Sequence, residues 1–178
     1  MKNIDTIYTI GHSTRAIDEF LELLSEFEIE VLVDVRRYPG SRKFPHFNQE
    51  ALQETIENNG MEYHHIEVLG GRRKVHKDSK NTRWRLDSFR GYADYMETDE
   101  FAEGVQLLQD IALQKTTAYM CSEVVWWSCH RSMISDDLKA KGWEVIHIMG
   151  LKNAQEHPYT SPAIIENGKV SYEEKSNL

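Results

Sequence analysis

The sequence predicts a three-layer α/β fold built on an open, mainly parallel sheet of about five strands. Two observations carry this prediction. Short apolar, β-branched runs alternate with stretches of helical periodicity, and one run, Val31-Leu-Val-Asp-Val35, is nearly continuous in the way a strand covered on both faces requires. Length supplies a third: 178 residues bury one core but not two comfortable ones, so residues 1–178 are read as a single domain.

Taken in order, Ile4 to Ile10 reads as a buried first strand that breaks at Gly11-His12-Ser13-Thr14. Ser13 or Thr14 is placed to cap a helix in which Phe20, Leu23, Leu24 and Phe27 share one face. The strand Val31 to Val35 ends in the basic loop Arg36 to Lys43. Asn48 is placed to cap a second helix, with Ala51, Leu52 and Ile56 inward and Asn59-Gly60 as its stop. Met61 to Val68 is a shorter strand signal, diluted by two histidines, and leads into Leu69-Gly-Gly-Arg-Arg-Lys74. Residues 75–90 turn polar and basic without a period and read as an insertion or mobile loop. A short helix over Gly91 to Met96 precedes a longer one after Thr98 or Asp99, whose Phe101, Val105, Leu108 and Ile111 or Ala112 face inward. A strand ending at Cys121, a helix from Ser128 to Lys141 closed by Gly142, and a fifth strand from Glu144 to Met149 complete the alternation. In the tail, 151–178, a hairpin is expected around Asn167-Gly168, with arms at Ala163 to Ile165 and Val170 to Tyr172.

Composition bounds the function. No run approaches the roughly 18 apolar residues of a membrane helix, and the N-terminus lacks a secretory pattern, so a cytoplasmic address with no membrane partner is expected. Two cysteines in such a chain are reactive, metal-binding or merely buried before they are a structural disulfide. The net charge of −8 argues against indiscriminate binding to polyanions. Its distribution is uneven: residues 36–90 hold twelve Lys and Arg against seven Asp and Glu, which suggests a focused anion site.

In an open parallel sheet the loops leaving the carboxyl ends of the strands line one edge, where ligands bind. The segments expected there are Gly11-His12-Ser13, Arg36 to Lys43, Gly70 to Lys74, and Cys121 to Arg131. Cys129, near a helix start with His130 and Arg131 beside it, is expected to have a lowered pKa, whereas Cys121 at a strand end is expected to be partly buried. The alternative is that one or both are small core residues. Arg36, Arg37, Arg42, Lys43, Arg72, Arg73 and Lys74 suit a phosphate or carboxylate clamp, or else a solvated surface. Aromatics interleaved with them, including Tyr38, Trp84, Phe89 and Tyr92, suit a base-stacking surface or ordinary core packing. Glu123 and His12 are proton-transfer candidates that helix capping explains equally well, and Asp34 is better explained as a structural partner of Arg36. Neither a Cys-x2-Cys redox motif nor a Cys-x5-Arg phosphate loop is present. Metal-ligand spacing is poor, since only Cys129-His130 is adjacent, so no metal site is assigned and no cofactor is identified.

Together, Gly11-His12-Ser13-Thr14, Asp34-Val-Arg36 with Pro39-x-Ser41-Arg42, Phe47-Asn48, Leu69-Gly70-Gly71, Phe89-Arg90-Gly91-Tyr92-x-x-Tyr95-Met96, and Cys121-x-Glu123-x5-Cys129-His130-Arg131 resemble the domain of unknown function 488 family across nearly the whole chain. The resemblance implies a small cytoplasmic α/β domain whose paired cysteines are suspected of function, and it implies no activity. The expected site therefore has Cys121, Cys129, Glu123, His130 and His12 as catalytic candidates. Ser13, Arg36, Arg42, Gly70, Gly71, Arg72, Arg90, Tyr92 and Arg131 are the anion-binding candidates. The leading expectation is an enzyme acting on a phosphate-bearing substrate, a nucleotide or a nucleic-acid end. The alternatives are a non-catalytic nucleic-acid or partner-binding module, and a redox or metal sensor. Self-association is left open.

Overall fold

The computed structural model describes residues 4–175. In chain order its elements are β1 (Thr6–Gly11), α1 (Ile17–Glu26), β2 (Val31–Asp34), α2 (Gln49–Asn58), β3 (Glu62–His65), α3 (Asp87–Tyr95), α4 (Asp99–Gln114), β4 (Thr117–Cys121), α5 (Arg131–Ala140), β5 (Glu144–Gly150), β6 (Asn153–Glu156), β7 (Ile164–Glu166) and β8 (Lys169–Ser171). The main sheet has the order β3-β2-β4-β1-β5-β6. Its first five members are parallel, and β6 adds to β5 in the antiparallel sense.

Alternation along the strands builds two cores. Val31, Val33 and Val35 point with Tyr119 and Cys121 to one face, where α3, α4 and α5 contribute Tyr92, Phe101, Val105, Leu108, Met133 and Leu138. Leu32, Ala118 and Met120 point to the other, where α1 and α2 contribute Phe20, Leu23, Leu24, Leu52 and Ile56. The sheet is thus sandwiched between helices, and this is the three-layer α/β/α arrangement that the near-continuous apolar run of β2 implies.

Right-handed crossovers fix which helix lies where. The chain leaves β1 for β2 on one side of the sheet through α1, and it leaves β4 for β5 in the opposite direction through α5 on the other. Since β1 and β4 are neighbours, their exit loops diverge and a crevice opens between them at the carboxyl edge.

Several boundaries differ from the sequence reading for identifiable reasons. Neither Ser13, Thr14 nor Asn48 caps a helix through its side chain. Asn48 instead accepts from the Ser41 N–H and so folds the basic loop back on itself, while Thr98 does cap α4 through the Phe101 N–H at 3.3 Å. The fifth helix begins at Arg131, because Trp126–Ser128 form a separate 3-10 turn. Residues 87–90 belong to α3, which therefore starts earlier than expected. The preceding stretch lacks regular structure but is pinned: the Asp94 carboxylate accepts from the His76 N–H (2.9 Å), Ser79 Oγ (2.5 Å) and Asn81 Nδ2 (2.8 Å). The polar strand β6, exposed along its length, raises the main sheet to six strands and offers no apolar pattern by which to be found. The hairpin at Asn167-Gly168 forms as expected, with both turn residues at positive φ.

Candidate functional site

Four strand-exit loops meet at the carboxyl edge around a cleft of about 700 Å³. The loop after β1 supplies His12 and Ser13, that after β2 supplies Arg36, Arg37 and Tyr38, that after β3 supplies Gly71 and Arg72, and that after β4 supplies Cys121, Glu123, Cys129 and His130. Backbone hydrogen bonds stitch the first and last together, from His12 N to Cys121 O at 3.0 Å and from Ser13 N to Ser122 O at 2.8 Å. Gly11 is what permits this crossing, since a Cβ there would lie 1.8 Å from the Glu123 carbonyl oxygen. Gly11→Ala is accordingly expected to cost about 3 kcal/mol or more in a denaturant titration, the upper end of overpacking penalties, because backbone rather than a side-chain tip must move.

At the floor of the cleft the two thiols touch, with Cys121 Sγ and Cys129 Sγ 2.9 Å apart and both cysteines free. Beneath them lies Arg131, 1% exposed. Its Nη2 donates to the carbonyls of Glu123 (3.1 Å) and Val124 (3.2 Å), which fixes the loop joining the cysteines, while its Nε and Nη1 are buried without a hydrogen-bond partner. A buried guanidinium in that state favours negative charge nearby. Burial opposes ionisation of Cys121, but the hydrogen bond from Cys129 and the Arg131 charge outweigh it and bring the thiol down to about 7. Burial, then the hydrogen bond to Cys121 and the charge of its thiolate, push Cys129 up. The expected order of the two thiols is therefore reversed in direction: the Cys129 hydrogen bond and the Arg131 charge favour the Cys121 thiolate, while burial disfavours ionisation of Cys129. Helix position alone favoured Cys129; the contact between the sulfurs and the buried Arg131 decide otherwise.

His12 and Arg36 form one wall. Asp34, fully buried, takes Arg36 Nε at 2.9 Å, Nη2 at 2.7 Å and the Tyr63 hydroxyl at 2.5 Å. Arg36 Nη1 in turn donates to His12 Nε2 at 3.3 Å, which leaves His12 Nδ1 to donate to the Ser13 carbonyl at 3.0 Å. Burial, assisted by the Arg36 charge, holds His12 at about 4, so it is a neutral ring with both nitrogens engaged, stacked on Phe47. His130 is held at about 4 by burial and by Arg131 and Arg73. Its Nε2 donates to the Val35 carbonyl at 3.1 Å, which leaves Nδ1 as an acceptor facing Gly71.

The rim is cationic and aromatic. Tyr38, 59% exposed, has the Arg37 guanidinium 5.3 Å and the Arg72 guanidinium 5.8 Å from its ring centroid. Arg37 Nη1 also donates to the Arg72 carbonyl at 2.9 Å, which ties the two loops together. Ser13 and Arg72, which both line the cleft, sit at positive φ, a costly conformation for residues with a Cβ. Gly70 lets the same loop pass directly over Arg37, where a Cβ would meet backbone at 2.5 Å.

Of the anion-binding candidates, Ser13, Arg36, Gly71, Arg72 and Tyr92 line the cleft. Tyr92 spends its hydroxyl on the Leu69 carbonyl at 2.7 Å, and Arg36 is tied through Nε and Nη2 to Asp34 and through Nη1 to His12. Arg42 is exposed and outside the lining, and Arg90 is turned away, with Nε and Nη2 on the Trp84 carbonyl. Arg131 is under the floor rather than in the wall. Glu123 is exposed on the rim. Arg37, read in the sequence as one of the cluster of clamp cations, belongs with Arg72 on geometry.

A second polar cluster, unread from sequence, lies behind the floor. Thr9 meets His147 Nδ1 at 2.5 Å, His147 Nε2 meets His157 Nδ1 at 2.8 Å, and His157 Nε2 meets Asp136 Oδ1 at 2.8 Å. Asp136 also takes the Thr160 N–H at 2.9 Å and the Tyr172 hydroxyl at 2.7 Å. Trp126, from the loop between the cysteines, stacks on His147 with ring centroids 4.7 Å apart. The cluster thereby fastens that loop to β5 and the tail.

Parallel strands, diverging crossovers and a thiol pair at the resulting crevice define an α/β domain with a cysteine cleft at its switch point. Within that class the chain belongs to the family described as Domain of unknown function DUF488, whose model matches residues 16–138. The match runs from the residue before α1 into α5, and so includes both cysteines and the cationic rim but not His12, Ser13 or β5. No curated protein and no solved structure matches the chain. No helix among the described residues is long and apolar enough to cross a membrane.

Proposed function

We propose that this domain is a cytoplasmic thiol enzyme that acts on a phosphate-bearing small molecule, a nucleotide or the end of a nucleic acid, with Cys121 as the attacking group. The observation that carries the reading is the stacking of functions in one cleft: a thiol pair on the floor over a buried, partly unpartnered Arg131, and Arg37 and Arg72 at the rim. Guanidinium groups suit phosphate oxygens, and a thiolate stabilised by a buried cation is a nucleophile at neutral pH. A volume near 700 Å³ suits an organic substrate of nucleotide size. His12, with both ring nitrogens engaged, positions Arg36 and the first loop. His130 Nδ1 and Glu123 are the groups left to move a proton.

Alkylation by iodoacetamide tests it. The rate at Cys121 should rise through a midpoint near pH 7. Millimolar adenosine monophosphate should slow it about tenfold, and Arg72→Ala should abolish most of that protection, since a lost charged hydrogen bond costs about 1.5–3 kcal/mol. Protection that is absent in the natural protein, or undiminished in Arg72→Ala, would remove the anion cleft from the account.

A further inference from the structure

Cleft size and cationic rim concern what binds; the second thiol concerns what happens next. A nucleophilic cysteine in acyl or phosphoryl transfer needs a base and an oxyanion site, and a second sulfur in contact with it serves neither purpose. Here Cys129 Sγ is 2.9 Å from Cys121 Sγ, against about 2.05 Å in a disulfide, so bonding requires little movement. Both sulfurs line the cleft, Cys121 buried and Cys129 half-buried, so an attacking and a resolving thiol share one approach. Arg131 holds the joining loop through two carbonyls, and Trp126, stacked on His147 with its indole N–H donating to Gln155 Oε1 at 3.3 Å, holds it from the other side.

We infer that Cys121 and Cys129 are a two-electron redox couple that reduces a disulfide carrying a phosphate group. The inference rests on the anion cleft proposed above for its substrate class. In the first step the Cys121 thiolate attacks one sulfur of R–S–S–R′, forming Cys121–S–S–R and releasing R′S⁻. That anion takes the proton of Cys129 and leaves as R′SH. In the second step the Cys129 thiolate attacks Cys121 Sγ, closing the protein disulfide and releasing RS⁻. Two electrons pass from the protein thiols to the substrate, one S–S bond breaks as another forms, and charge and protons balance. A small dithiol resets the couple.

The rim explains why a hydrogen peroxide-like oxidant fits less well: it would need neither Arg37 and Arg72 nor a cleft of about 700 Å³. The test presents the reduced protein with coenzyme A disulfide, which carries phosphates, with oxidised glutathione, whose only anionic groups are carboxylates, and with uncharged hydroxyethyl disulfide. Intact mass and thiol counting follow each reaction. The expected result is an intramolecular Cys121–Cys129 disulfide with no retained adduct, formed about tenfold faster from the coenzyme A compound than from the uncharged one, in line with a single well-made charged contact. Cys129→Ser should trap the coenzyme A mixed disulfide on Cys121. Stable adducts on the natural protein, with no intramolecular disulfide, would overturn the couple while leaving nucleotide protection in the alkylation assay untouched. Equal rates from all three reagents would overturn the phosphate-bearing substrate class, and would do so with the couple intact. A preference for oxidised glutathione would likewise overturn it, in favour of carboxylate recognition.

Discussion

Acidification from pH 7 to pH 5 is expected to weaken the fold steeply, because two buried imidazoles, His12 and His147, and the half-buried His130 are held in neutral form. Burial is the first cause in each case: it holds His12 and His130 at about 4 and His147 at about 2, with the neighbouring charges of Arg36 or Arg131 adding to it. In the unfolded chain these rings bind a proton near pH 6.5. Between pH 6.5 and 4 the unfolded state therefore takes up protons that the folded state refuses, and stability falls as pH falls. Each ring contributes up to about 1.4 kcal/mol per pH unit in that window. Urea midpoints at pH 7.5, 6.5, 5.5 and 4.5 should be level over the first interval and drop sharply over the rest. A flat series would mean that these rings are not held neutral.

Asp136→Ala should be the most damaging single change away from the cleft, costing about 3–5 kcal/mol, the range for removing one partner of a buried polar or ionic set. Asp136 is fully buried and accepts from His157, the Thr160 N–H and hydroxyl, and Tyr172, so its loss strands donors on three residues at once. Because His157 also orders His147 and so the seat of Trp126, the variant should lose the fixed spacing of the cysteines as well. Guanidinium unfolding gives the first quantity, and the yield of Cys121–Cys129 disulfide under mild oxidation gives the second. Full yield in a destabilised variant would confine Asp136 to stability.

What the sequence could tell follows from how many residues each feature needs. The layers were legible because patterns such as Val31 to Val35, or Phe20-Leu23-Leu24, express burial in a handful of adjacent positions. The convergence of loops followed from strand ends alone, through the geometry of parallel sheets. Side-chain pairing was not legible: that Arg90 turns to Trp84 while Arg37 faces the cleft depends on packing between segments far apart in the chain. The Asp136, His157 and His147 set was hidden for the same reason. A mid-helix Asp, a strand His and a tail His carry no common spacing. The order of the two thiols likewise depended on a contact across eight residues and on an arginine beneath them.

Strand order also governs how the chain comes to be folded. β1 pairs with β4 and β5, more than a hundred residues downstream, as in Tyr8 with Ala118 and Ile146. During synthesis the middle of the sheet has no partner on either side until β4 and then β5 have emerged. β2 and β3 can pair with each other early, but they have nothing to dock against. Such long-range pairing makes for slow folding and a prolonged exposure of the apolar edges of β1. The crevice that the thiols occupy is created by the last of those events, the insertion of β4 beside β1 and the departure of the chain toward β5.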